Sequence, residues 1–285
     1  MGIADETVTF LKKNWKPTKK QWLISLAALV TQLTLLFFID LFLSDRVPYI
    51  WEWGSKFLTI PPLSFIIPPL VLLGAAYYAK GKGHELGFAS AYALLFTPVT
   101  GLSMMLTADV LALFTVAAIY LFSAWGFSRM LITKKYQEYG IAAVVFAVSD
   151  LIGRWILHFY RSGTPIGELL ELYSYVDYLQ TITSSVALKI LAQGMLLGIP
   201  TWILAKELLK NKKIDLWKSV VLVGSTMYGL LLLSYLTNYI GIIIGGGLTS
   251  GFLLFLELDT YSIELLFPFI GLALYSFLKK KSLSK

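Results

Sequence analysis

Eight apolar stretches, each close to the length that crosses a bilayer, divide this chain: Trp22 to Leu43, Phe57 to Ala79, Leu86 to Leu106, Val110 to Ile132, Gly140 to Tyr160, Thr181 to Ala205, Ser219 to Ile244 and Tyr261 to Leu278. A helix of about 20 mainly apolar residues spans roughly 30 Å of hydrocarbon, where no water is present to satisfy an open backbone amide or carbonyl. Composition agrees: of 285 residues, 57% are hydrophobic and 14% charged, with a mean hydropathy of +0.71. A soluble domain carries about 25% charged residues. The expectation is an all-α, polytopic integral membrane helix bundle of eight transmembrane helices. A basic cytoplasmic tail (1–21) precedes a single bundle (22–278), and a second basic cytoplasmic tail (279–285) follows it.

Orientation follows from lysine and arginine, because basic loops stay on the cytoplasmic side. The tail with Lys12, Lys13, Lys16, Lys19 and Lys20, the loop with Lys80 and Lys82, the turn with Arg129, Lys134 and Lys135, the loop from Lys206 to Lys218 and the tail from Lys279 onward fall on one face. Nineteen of the 24 basic residues lie there, Arg46, Lys56 and Arg161 lie outside, and Arg154 and Lys189 stay within the membrane. Both termini are therefore expected inside a multi-pass plasma-membrane protein. The first span is too long for a signal-peptide core and no small-x-small site follows it, so it is expected to stay as an anchor. The inner face, which concentrates the net charge of +7, suits anionic membrane lipids. A cytoplasmic ATPase, other membrane subunits or a nucleic acid backbone are further partners for it.

No cysteine occurs, which excludes thiol catalysis, disulfides and iron–sulfur ligation. The two histidines, His84 and His158, lie toward opposite faces, so neither a histidine zinc triad nor a haem ligand pair is expected. No metal or other cofactor is implied. The absence of cysteine and the rich lysine supply match thermophile habits. Intramembrane enzymes fit poorly: "SDLIG" around Asp150 lacks the Tyr-Asp and Gly-x-Gly-Asp contexts of aspartyl proteases, and "GLTSG" departs from the Gly-x-Ser-Gly of rhomboid proteases. No Walker loop is present, and no catalytic residue is expected.

Two regions read as irregular. Pro61-Pro62 and Pro68-Pro69 both fall in the second span, where proline removes an amide donor and its ring presses on the carbonyl four residues back. They predict a proline-broken helix whose outer half faces the bundle interior, although proline at the first turn alone would be tolerated. Between Gly245 and Asp259 the chain is too short to cross and return as helix, which predicts an outer re-entrant or interfacial segment before the last span. The connection "RSGTPIGELLELYSYVDYLQ" reads as an amphipathic helix along the outer interface.

Inside the fifth span, Asp150, Arg154, His158 and Arg161 form one stripe from mid-membrane outward. A central charge costs at least about 2.5 kcal/mol on insertion scales, so the stripe must turn away from lipid, and Asp150 and Arg154 can pair internally. Lys189, Gln193, Asn238 and Glu264 are further candidates for a polar interior. Two readings are open: a static buried network, or residues lining a pathway or binding a substrate or ion.

In general organisation, a small, eight-span, lysine-rimmed protein without its own ATPase is similar to channel subunits of DNA or protein translocation machines, including archaeal DNA-import systems. The similarity is architectural and covers no motif. It implies a transmembrane pathway powered by a separate ATPase. The rival expectation is a secondary transporter of a small charged solute using Asp150, Arg154 and Lys189, which internal symmetry would favour; none is visible between the halves.

Overall fold

The computed structural model describes residues 15–44, 63–81, 84–105, 110–162, 184–211, 215–229 and 266–280. They are all-helical, with no strand among them. The helices are α1 (Lys19–Ser44), α2 (Leu63–Ala79), α3 (Glu85–Met105), α4 (Val110–Thr133), α5 (Tyr136–Ser162), α6 (Ser184–Gln193), α7 (Ile199–Asn211), α8 (216–229) and α9 (266–280). A π-helical turn, Gly194–Gly198, joins α6 to α7 without a break, so these nine helices make eight rods. Among the described residues, two stretches, Lys19–Ile39 and Tyr136–Leu157, are long and apolar enough to cross a membrane.

Local sequence explains several boundaries. Thr18 caps α1: its Oγ1 accepts the Gln21 amide at 3.3 Å while Gln21 Oε1 accepts the Thr18 amide at 2.8 Å, a reciprocal capping box. Lys134 ends α4 in the left-handed region, φ 56°, with its amide on the Met130 carbonyl at 3.0 Å, and α5 starts two residues later. That tight reversal makes α4 and α5 antiparallel neighbours in sequence.

The interior is built from alanine and aromatic side chains. Ala76, Ala89, Ala124 and Ala142 are fully buried beside Phe88, Phe127 and Trp202; small residues let helices approach closely while rings fill the remaining gaps. Tyr92 stacks on Phe96 of the same helix α3 at 4.0 Å, both rings meeting Tyr120 of α4, and Phe146 of α5 meets Phe269 of α9 edge-on at 5.3 Å. The outward faces are apolar too: Leu23, Phe37, Leu94, Phe114, Leu222 and Leu274 are all exposed.

One sequence expectation changes here. The second rod is not broken at its inner proline pair, because α2 continues as helix through Pro68 and Pro69. These prolines sit in the second turn of a helix that starts at Leu63, so the carbonyls facing the two missing amides are those of Ser64 and Phe65, close to the helix start. The irregular rod is instead the sixth, at Gly194–Gly198. Pro61, Pro62, Asn238, Glu264, the outer connection and the glycine-rich segment before the last rod lie outside the described residues.

Candidate functional site

Asp150 lies on the inward side of α5 and is buried. Arg154 Nε donates to its Oδ2 at 3.0 Å, with the aspartate side chain 5% and the arginine side chain 22% exposed. The four-residue spacing therefore produces the pair within one helix. The flanks of the pair are tightly packed. A Cβ added to Gly153 would lie 2.6 Å from Phe267 Cβ, and one added to Gly271 would collide with Ser149. At this level α9 thus presses directly on α5, and only a residue without a side chain permits it.

On another side, α5 meets the π turn. A Cβ at Gly194 would fall 2.5 Å from the Ala143 carbonyl oxygen, and one at Gly198 would fall 2.8 Å from Phe146 Cβ. Gln193 immediately precedes this turn and is half-buried. The π turn leads into Pro200, which has no amide to offer the Leu196 carbonyl four residues back. Ser123 Oγ of α4 donates to that carbonyl at 2.8 Å, and Gly126, one turn on, leaves room for the Pro200 ring, whose Cγ lies 2.5 Å from where a Cβ would stand. A proline-weakened helix is thus completed by its neighbour, the arrangement that makes interior proline tolerable. Of the remaining sequence candidates, His158 and Lys189 lie within α5 and α6, with their side chains outside the described set.

Polar contacts gather where the helix ends meet at one face. Gln21 Nε2 donates to the His84 carbonyl at 2.9 Å, joining α1 to the start of α3. Arg129 near the end of α4 bridges Glu85 of α3 at 3.1 Å and Glu207 of α7 at 3.3 Å. Glu138 of α5 accepts from Lys206 Nζ at 2.6 Å and from Trp202 Nε1 at 2.9 Å, with Lys279 of α9 at 3.9 Å. Lys280 donates to Asp215, just before α8, at 2.7 Å. Helix starts and helix ends meet at this one face, which requires the rods to alternate in direction. Lys280 holds the Asp215 carboxyl below the usual carboxylate range by its hydrogen bond and charge, aided by Lys218.

These contacts between helix ends were missed in the sequence, where Arg129 and Lys206 read only as orientation signals and Glu85, Glu138 and Glu207 drew no attention. Their partners are distant along the chain. Glu138 precedes an apolar run and Glu85 opens α3, so acids at helix starts beside lysine-rich helix ends were the available signal. Among the described residues no group of three or more metal-ligating side chains occurs. No family model matches the chain, and no match is found among curated proteins or solved structures.

Proposed function

We propose that this chain is a multi-pass protein of the cell membrane, its eight rods spanning the bilayer with both termini inside. In this reading it forms a transmembrane pathway as the channel or translocation subunit of a larger machine whose energy comes from a separate ATPase. The observation that carries the reading is the Asp150–Arg154 pair, its aspartate buried, set in the apolar middle stretch of α5. An embedded charge pair is costly to insert and is commonly tied to transport. The many large apolar side chains left exposed along the rods support a lipid surround, since a soluble monomer seldom exposes large apolar patches. The face that gathers the helix ends carries lysines and arginine and suits an acidic cytoplasmic partner.

A secondary transporter of a small charged solute is the second reading, favoured by the π turn before Pro200 beside α5, because interrupted helices often frame transporter sites. Reconstitution in liposomes separates the two. Uptake of a labelled small solute down an imposed ion gradient by the purified chain alone would sink the translocation reading. Transport that appears only with a co-purifying ATPase supports it.

A further inference from the structure

Two hollows meet at Trp217. The first is a cavity of about 510 Å³ among the helix ends, lined by Glu138, Lys206, Asp215, Trp217, Lys279 and Lys280. The second is an apolar groove of about 370 Å³ between α8 and α9, which begins at the same Trp217 and continues past Val221, Phe269, Ile270 and Ala273. Along α8 the groove wall from Trp217 to Ser225 rises about 12 Å at the helical rise per residue. One leaflet of hydrocarbon is about 15 Å deep.

We propose that this composite hollow binds one anionic phospholipid from the inner leaflet, its phosphate in the lysine-lined cavity and an acyl chain in the groove. The inference rests on the membrane reading above. Three ammonium groups face two carboxylates in the cavity, so it favours a negative guest. Glu138 Oε1 already accepts from Lys206 and Trp202, and Lys279 stands 3.9 Å from it, beyond hydrogen-bond reach, with its side chain 41% exposed. The Lys279 donors are therefore available to a phosphate. Trp217 sits edge-on to Phe277 at 6.3 Å, with Lys218 5.6 Å from its ring centre, an aromatic residue at the level where headgroup gives way to hydrocarbon. A free phosphate would use the cavity and leave the groove empty. The groove between α1 and α2 has Lys20 at one end but lacks a comparable cluster of cations, which makes it an internal comparison.

Native mass spectrometry of the full chain released from detergent, incubated with phosphatidylglycerol, phosphatidylcholine or glycerol phosphate, tests the site. Phosphatidylglycerol should be retained in preference to phosphatidylcholine, and glycerol phosphate should not compete. Lys279→Gln and Lys280→Gln should each weaken retention about fivefold, the worth of one basic residue near a membrane surface. Asp215→Asn, which releases Lys280, should strengthen retention, a gain that damage to the fold does not mimic. Ala273→Phe, which fills the groove, should weaken retention of both lipids. Lys20→Gln should change nothing. Equal retention of the two lipids, competition by glycerol phosphate, or an unchanged Asp215→Asn overturns the proposal. Extraction of the chain from membranes by alkaline carbonate overturns the membrane reading and the site together; a chain that stays in the membrane but shows no lipid preference overturns the site alone.

Discussion

Ser123 Oγ of α4 donates to the Leu196 carbonyl in the π turn at 2.8 Å, serving the acceptor for which Pro200, four residues on, has no amide. Ser123→Ala removes that donor and should cost about 1 kcal/mol, read as a fall in apparent melting temperature of about 2 °C in detergent. In a Pro200→Ala background an amide returns at that position, so the Ser123→Ala cost should shrink. An equal cost in both backgrounds would show that the hydroxyl does not compensate for the proline.

Gly194 lets the π turn lie against the α5 backbone. Gly194→Ala sets a methyl group 2.5 Å from the Ala143 carbonyl oxygen, and a backbone atom yields less readily than a flexible side chain. A loss of about 1 to 3 kcal/mol is expected. Gly74→Ala, with nothing near its Cβ position, is the control and should be neutral or slightly stabilising. Thermal unfolding of the two variants in the same detergent decides the point.

Lys134 is exposed and adopts φ 56° at the end of α4. Glycine adopts this conformation without a Cβ clash, so Lys134→Gly should stabilise the chain by about 1 kcal/mol. Lys134→Val should have the opposite sign, since a β-branched side chain suits positive φ least. Chemical or thermal unfolding of both variants gives the comparison.

Lys280 depresses the Asp215 carboxyl in the folded chain. A depressed carboxyl contributes stability above its ordinary, unfolded value and loses that contribution as pH falls through the folded value. Lowering the pH from 7 into the acid range should thus weaken the α8–α9 end contact, and Lys280→Gln should reduce the acid sensitivity of the melting temperature. An identical pH profile in wild type and Lys280→Gln would contradict this linkage. The effect should be small because both side chains are well exposed.

Arg154→Gln leaves the buried Asp150 carboxylate without its guanidinium neighbour and should destabilise by about 2 kcal/mol or more, short of the figure for fully buried pairs because Arg154 is partly exposed. The double variant with Asp150→Asn should recover part of the loss. A double-mutant cycle on melting temperature measures the coupling. If the same variants abolish transport at temperatures where the chain is folded, the pair also serves the pathway.

The helices were legible from local sequence because a run of apolar residues specifies its own secondary structure once about 20 of them are consecutive. Expected and observed limits of α3 and α4 differ by a residue or so at each end. The Asp150–Arg154 bond was legible too, since partners one turn apart need no knowledge of other helices. The proline reading went astray because a helix can absorb proline near its start, and where a start lies relative to Pro68 is a matter of neighbouring structure. Gly198 and Pro200 were visible in the sixth stretch, but the donor that completes it stands on α4.

The amino-acid sequence alone thus determined where the described rods run and which of them carries the buried Asp150–Arg154 pair, because hydropathy, length and one-turn spacing act within a single segment. Only the tertiary structure decided that Ser123 serves Leu196, that Glu138 joins Trp202 and Lys206, and that Gly153 and Gly194 carry close helix contacts. Such contacts depend on the rotation of each helix about its axis. That rotation is set by the packing of small residues against rings on several helices at once, which no single segment encodes.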